Sequence, residues 1–373
     1  MTHGGHGLAR LDGQVCFVPG ALPGDVVDLH RVRKHKGVHW GDVARVVRAS
    51  SDRIVADCPV FGRCGGCSWL HFAYPAQGEW KRRMVEEAFR RLARIEVAVV
   101  LAEDPAYRFH YRTRARFHGD GACWGFFAEA SHDVVDIVAC PLLHPFLNTA
   151  FAKLRETDFR GEVEITVHPE TGETLVWTHA IADELRRVFP SVECRQSNTR
   201  SQFLFDGAPI VNGTFSQSSL LLNRLLVSRV RDLAAGAKRV IDLYCGSGNF
   251  SLGFADSAEV IGIDHNYLGV SAAAKLGKGE YICGNEDLMA RTLGEAPWDV
   301  VILDPPRTGA KAIVPALAST HAGRIIYVSC DPATLARDAA QLAGQGWRID
   351  NVTAVDMFPF TCHVEVICVF SRL

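Results

Sequence analysis

From about Val240 the chain settles into a repeat of strand, glycine loop, helix and strand, and its first loop reads Asp242-Leu243-Tyr244-Cys245-Gly246-Ser247-Gly248-Asn249-Phe250. An apolar run ending in a glycine turn that opens a helix commits a chain to a parallel sheet. Parallel strands need a crossover that covers the sheet, and the loops after the strands then gather at one edge. At that edge the sequence places Asp264 after Val260-Ile261-Gly262-Ile263, Asp304-Pro305-Pro306-Arg307 after a further strand, and Cys330-Asp331-Pro332 after Ile325-Ile326-Tyr327-Val328-Ser329. The expected fold class is α/β, with a Rossmann-like domain in the second half of the chain.

The glycine loop departs from the dinucleotide fingerprint, because Ser251 stands where G-x-G-x-x-G requires its third glycine. S-adenosylmethionine has no pyrophosphate, so its loop need only let the backbone approach the amino-acid and sugar portions. An acid about twenty residues on, here Asp264, suits ribose hydroxyls. Together with Asp304-Pro305-Pro306-Arg307, these features favour S-adenosylmethionine over a nicotinamide.

A lone cysteine at a strand end is ordinarily a small buried hydrophobe. Cys330 gains meaning from the cofactor loop in the same half and from the acid that follows in His363-Val364-Glu365. The combination points to methyl transfer through a cysteine adduct.

The front of the chain has a different character. Residues 1–120 hold 19 Lys+Arg against 13 Asp+Glu, whereas residues 121–373 hold 21 against 29, which suggests an N-terminal surface for a polyanion. The clusters are Arg31 to Lys36, Lys81-Arg82-Arg83, and Arg108, Arg112, Arg114 and Arg116 among Tyr107, Phe109, Tyr111 and Phe117. Basic residues interleaved with aromatics suit phosphate contact and base stacking, although any one cluster reads equally as a solvated face. The first fifty residues alternate between Pro-Gly breaks in the manner of a small β-barrel. The pattern from Pro75 to Arg94 predicts a helix with Trp80, Met84, Ala88 and Leu92 on its apolar side.

Twelve cysteines in a 373-residue chain with no basic-then-apolar start and no run of about 18 apolar residues argue for metal or catalytic use in the cytoplasm rather than for disulfides. Cys58, Cys64 and Cys67 fall within ten residues around Gly62, Gly65 and Gly66. A fourth ligand must come from elsewhere, and Cys140, followed by Pro141, is the candidate. The spacing suits either an iron–sulfur group or a structural zinc. Cys16, Cys123, Cys194, Cys245, Cys283, Cys362 and Cys368 read as core or incidental thiols.

On these motifs the chain resembles the uracil-5-methyltransferases of ribosomal and transfer RNA over nearly its whole length. The resemblance implies a TRAM domain (an OB-like RNA-binding β-barrel) at residues 1–50 and a central α+β iron–sulfur domain at 51–70 and 104–212. The remaining stretches, 71–103 and 213–373, would form the Rossmann-like catalytic domain. It implies a [4Fe-4S] cluster on Cys58, Cys64, Cys67 and Cys140, favouring iron over zinc. S-adenosylmethionine would be held by Gln217 of Phe215-Ser216-Gln217 and by Tyr244, Asn249, Asp264, Asn285 and Asp304, with Asp287 a rival to Asn285. Cys330 would be the nucleophile and Glu365 the proton acceptor. The TRAM segment starts nearly at Met1, so a shortened or missing first strand is expected.

The implied activity is methylation of carbon 5 of a flipped-out uridine in structured RNA, 23S rRNA before tRNA, with no membrane and no obligate protein partner. The competing classes are a non-catalytic RNA-binding iron–sulfur protein, against which Cys330 and Glu365 stand, and an exocyclic amino-group methyltransferase. The latter would carry an aromatic residue where Arg307 stands and would need no cysteine.

Overall fold

A computed structural model describes residues 1–2, 4–197 and 199–372. The chain opens with strands β1 (Gly7–Leu11), β2 (Gln14–Val18), β3 (Val26–His35) and β4 (Val38–Arg48), hydrogen-bonded in the order β1-β2-β4-β3. The first of these strands is short, with five residues. The basic run forms the end of β3 and a tight turn at Lys36 and Gly37, both in the left-handed region that such hairpin turns demand. Arg31, Lys34 and Lys36 are exposed there, whereas Arg33 pairs with Asp42 at 2.9 Å.

Helix α1 (Tyr74–Ala88) continues as a π-helical turn through Ala93 and ends at Arg94, in the left-handed conformation. The predicted extent therefore matches within a residue, and the predicted face matches in part: Met84 is buried and Trp80 and Ala88 are half-buried against the core. The buried side consists of Tyr74, Gln77, Lys81, Met84 and Val85, followed by Phe89, and Leu92 is 53% exposed. Lys81 is fully buried and its Nζ lies 2.6 Å from an equally buried Asp356. Removing one partner of such a pair costs about 3–5 kcal/mol, because the other charge is stranded. Arg82 and Arg83 are held by Glu79 of their own helix. The run Lys81-Arg82-Arg83 is thus a core ion and two self-paired surface groups rather than a polyanion surface.

Strand β5 (Val99–Ala102) follows, and then a five-stranded antiparallel sheet ordered β10-β9-β6-β7-β8, built from β6 (Arg114–Asp120), β7 (Trp124–Phe127), β8 (Val134–Asp136), β9 (Arg160–Val167) and β10 (Thr174–Thr178). Helices α2 (Pro145–Leu154) and α3 (Asp183–Val188) pack with it around Phe117, Phe151 and Val163. Phe117 and Tyr111 are buried and Phe109 stacks on Phe360, so these aromatics serve the core rather than bases. A hairpin of β11 (Gln202–Phe205) and β12 (Ala208–Val211) leads to helix α4 (Leu220–Leu233).

The remainder builds an eight-stranded sheet. Strands β13 (Arg239–Leu243), β14 (Glu259–Asp264), β15 (Glu280–Cys283), β16 (Val300–Leu303) and β17 (Arg324–Ser329) run parallel, with helices α5 (Tyr267–Ala274), α6 (Glu286–Glu295), α7 (Val314–Ser319) and α8 (Pro332–Ala343) between or after them. Strands β18 (Trp347–Val355) and β19 (Glu365–Arg372) complete it in the order β15-β14-β13-β16-β17-β19-β18-β5. β19 is antiparallel to both of its neighbours. β5 pairs in parallel with β18, so a segment from the first third of the chain forms one edge of this sheet. The apolar runs of β13, β16 and β17 are buried throughout or nearly so, as strands covered on both faces must be. Among the described residues no helix is long and apolar enough to cross a membrane.

Candidate active site

Strand order reverses beside β13, whose successors β14 and β16 lie on opposite sides of it, and this places a crevice at the carboxyl ends of β13 and β16. Tyr244 sits at that point with φ 60°, and Asp304 directly follows β16, its N–H donating to the Leu243 carbonyl at 3.3 Å. Gly246 has φ 56°, and a Cβ added to it would meet nothing within 4 Å, so the loop borders open space rather than packed side chains. Asp264 shapes the same loop: one carboxylate oxygen accepts from the Gly246 N–H at 2.9 Å and the other from the Asn266 N–H at 2.7 Å. Each oxygen keeps a further lone pair with which to accept a ribose hydroxyl. These features fit S-adenosylmethionine.

The other predicted cofactor residues have local duties. Asn249 exchanges amide hydrogen bonds with Asn223 of α4, at 2.7 and 3.2 Å, and nothing in the sequence flags Asn223. Asn285 caps α6 by accepting from the Leu288 N–H, and its own amide donates to Asp287. The two rival residues at this position, an amide and an acid, are therefore hydrogen-bonded to each other. Gln217 is half-buried on the loop before α4, beside Phe215, which is 74% exposed. The guanidinium of Arg114 lies over the Phe215 ring and bonds the Ser216 carbonyl.

Cys330 occupies the single position between β17 and the cap of α8. Asp331 accepts from the Ala333 and Thr334 N–H groups, and Pro332 starts the helix, so the thiol is fixed at a strand end beside a helix N-terminus. Glu365 begins β19, and both residues lie one step beyond the last β17–β19 pair, Ser329 opposite Val366. Glu365 is 3% exposed. Burial, and then the charge of Asp304, pushes its carboxyl well above the ordinary range, while Arg307 opposes the shift. Burial raises Asp304 to about 7. The Cys330 thiol is pushed up to about 11 by burial and by the charges of Glu365 and Asp304, with the Arg307 guanidinium working the other way. Arg307 is thus the cation shared by both groups, a role that the sequence motif contained but did not reveal.

Cys58, Cys64, Cys67 and Cys140 converge. They line one cavity, together with Arg112 and Phe126. Burial and mutual charge push the Cys67 thiol up to about 12, and burial raises Cys64 and Cys140. Among the described residues no three such side chains stand as ligands of a single metal ion. All twelve cysteines are free.

A cysteine and a buried acid beside an S-adenosylmethionine crevice in a doubly wound sheet define a methyltransferase site. The sequence profile of the tRNA (uracil-5-)-methyltransferase family matches residues 287–372, and that of the TRAM domain matches residues 1–30. The chain is 32% identical to the 23S rRNA (uracil(1939)-C(5))-methyltransferase RlmD of Azoarcus sp. (strain BH72), covering 100% of this chain and 98% of that protein. The enzyme of the same name from Methylococcus capsulatus is also 32% identical, over 100% and 95%. Among solved structures, Pyrococcus abyssi tRNA (uracil-54, C5)-methyltransferase in complex with S-adenosyl-L-homocysteine aligns with a TM-score of 0.75 at 25% identity, covering 98% of this chain and all of that one. The chain belongs to the RNA uracil-5-methyltransferase family.

Proposed function

We propose that the protein methylates carbon 5 of one uridine in 23S rRNA, with Cys330 as nucleophile and Glu365 as base. The observation that carries this reading is the placement of Cys330 and Glu365 at adjoining strand ends beside the crevice, in a chain similar along its full length to enzymes named for that reaction.

Carbon 5 of uracil is too weak a nucleophile to take a methyl group directly. Addition of the Cys330 thiolate forms a sulfur–carbon 6 bond and moves electron density onto carbon 5, which then bonds the methyl carbon. S-adenosylmethionine would supply that methyl as an electrophile, its sulfonium–methyl bond breaking with the electron pair left on sulfur, so that the neutral thioether S-adenosylhomocysteine is the leaving group. Glu365 takes the carbon 5 proton, the sulfur–carbon 6 bond breaks with its electron pair returning to Cys330, and 5-methyluridine is released. Arg307, close to both groups, favours thiolate and carboxylate against the burial that opposes them. A stacked base cannot reach Cys330, so the uridine must be flipped out or single-stranded.

The TRAM strands supply phosphate contacts through Arg31, Lys34 and Lys36, and action on RNA would place the chain in the cytoplasm. We assign residues 1–50 to the RNA-binding unit, 51–70 and 104–212 to a central unit, and 71–103 with 213–373 to the catalytic unit; the pairing of β5 with β18 supports the last. The four thiols around one cavity are the residues that would hold a [4Fe-4S] cluster, which the family resemblance favours over zinc. The cluster's role is to hold the central unit in shape, since the reaction transfers no electrons.

Resemblance to the Pyrococcus tRNA enzyme in fold keeps tRNA as the second reading. Mapping 5-methyluridine across ribosomal and transfer RNA in a strain lacking the gene decides between them. Complementation with Cys330→Ala must fail, and Glu365→Gln must accumulate a cysteine–RNA adduct that carries the cofactor's methyl label. Normal turnover by Cys330→Ala overturns the mechanism.

A further inference from the structure

The segment Asp356-Met357-Phe358-Pro359-Phe360-Thr361 carries the chain from β18 to the proposed base on β19, and helix α1 grips it from outside the sheet. Lys81 Nζ donates to Asp356 at 2.6 Å and to the Phe358 carbonyl at 2.9 Å, and Asp356 in turn accepts from the Phe358 N–H at 3.2 Å. One turn earlier on α1, the Gln77 side-chain oxygen accepts from the Phe360 N–H at 2.8 Å, while its amide donates to the Trp69 and Phe72 carbonyls. The Tyr111 hydroxyl donates to the Pro359 carbonyl at 3.1 Å, and the Trp69 N–H to the Phe360 carbonyl at 2.9 Å. Phe360 has φ 63°, an unfavourable conformation for an aromatic residue that persists only where the surroundings impose it.

Three facts take this arrangement beyond ordinary core packing. Lys81, Gln77 and Asp356 are all fully buried, on a helix and loop remote in sequence. Beyond the Asp356 carboxylate, the grip holds backbone groups, on the three successive residues Phe358, Pro359 and Phe360. It ends five residues before Glu365, which opens β19 opposite Val355, the last residue of β18, so the gripped segment lies in the connection between that pair.

We propose that Lys81 is a positioning residue for the proton-abstraction step: through Asp356 and the Phe358 carbonyl it fixes the path of the strained Phe358–Thr361 segment and so the placement of Glu365. Gln77 is its second point of attachment. This rests on the reading of Glu365 as the base. Misplacing the base slows removal of the carbon 5 proton without weakening RNA binding or methyl transfer, so turnover stalls at the methylated adduct.

The test uses Lys81→Met combined with Asp356→Asn, which removes both buried charges together and keeps an acceptor for the Phe358 N–H. The full-length double variant is assayed with RNA substrate and methyl-labelled cofactor beside the parent and Glu365→Gln. The expected result is a fall in kcat of about tenfold or more, as small displacements of a reacting group produce. KM for RNA should stay within about twofold, and the labelled adduct in a denaturing gel should rise about tenfold. A folded double variant with the parent's kcat and adduct level overturns the proposal. If near-ultraviolet circular dichroism shows the double variant unfolded, Gln77→Met is read by the same two criteria. Loss of fold in both makes the grip a stability element alone and also overturns the proposal. Adduct in Glu365→Gln without adduct in the Lys81 variant removes the positioning role only, whereas no adduct in Glu365→Gln removes the base assignment and the positioning role with it.

Discussion

Cys330 and Glu365 lie one residue past the Ser329–Val366 pair, each next to a strand whose central residues, 325–328 and 366–370, are buried and apolar. A thiol and a carboxyl are thereby brought together in a place that favours the neutral form of both. The site's proton chemistry follows from that.

Alkylation should expose the thiol's reluctance to ionise. With its pKa near 11, Cys330 holds little thiolate at pH 8, and its rate of modification by iodoacetamide should climb about tenfold per pH unit from 7 to 10. Peptide mass spectrometry of quenched samples measures this. A plateau below pH 9 would contradict the placement, and Arg307→Gln should slow modification further.

Thermal stability should carry the mark of Glu365. Its carboxyl is raised in the folded chain, so above the unfolded value of about 4.3 the folded state retains a proton that the unfolded state releases, and stability falls as pH rises. Glu365→Gln imitates the protonated form and escapes that cost. Its Tm should match the parent's near pH 4 and exceed it by several degrees at pH 7–8; scanning calorimetry that finds the same difference at both pH values would refute the assignment.

RNA affinity should depend on the hairpin tip. Neutralising Arg31, Lys34 and Lys36 together should weaken binding and reduce the slope of log K against log salt by about two to three. Cofactor affinity should not change. Arg33, already paired with Asp42, should contribute less than any of the three, and an unaltered slope would make the tip a solvated face.

Metal content tests the thiol cavity. Anaerobically purified protein should hold about four irons per chain and absorb as an iron–sulfur protein. Cys140→Ala should lose the iron and become easier to cleave by protease in the central region. Stoichiometric zinc without iron in the parent would replace the cluster with a mononuclear site.

Much of the site was legible because its signals are local. Glycines in the left-handed region at Gly246 and Gly248, an acid ending β14, and a Cys-Asp-Pro step that is at once strand end, cap and helix start all follow from short-range stereochemistry. Side-chain partnerships across the fold were not legible. Nothing in Lys81-Arg82-Arg83 distinguishes the lysine that meets Asp356 in the core from the two arginines that meet Glu79, and apolar periodicity missed Gln77 and Lys81 on the buried side because they are polar. Arg307 and Asn223 were hidden for the same reason: their partners are supplied by other elements.

The pairing of β5 with β18 also sets the order in which this enzyme can be assembled. Residues 99 and 352 must meet before the sheet gains its last strand, a closure across about 250 residues that places the event late and makes it slow. Until then β18 is a bare edge able to recruit a strand from another chain. A fragment cut to the stretch that the family profile matches, residues 287–372, would keep that edge open permanently. The N-terminal strands could be exchanged for another RNA-binding module, but α1 and β5 must travel with the catalytic body.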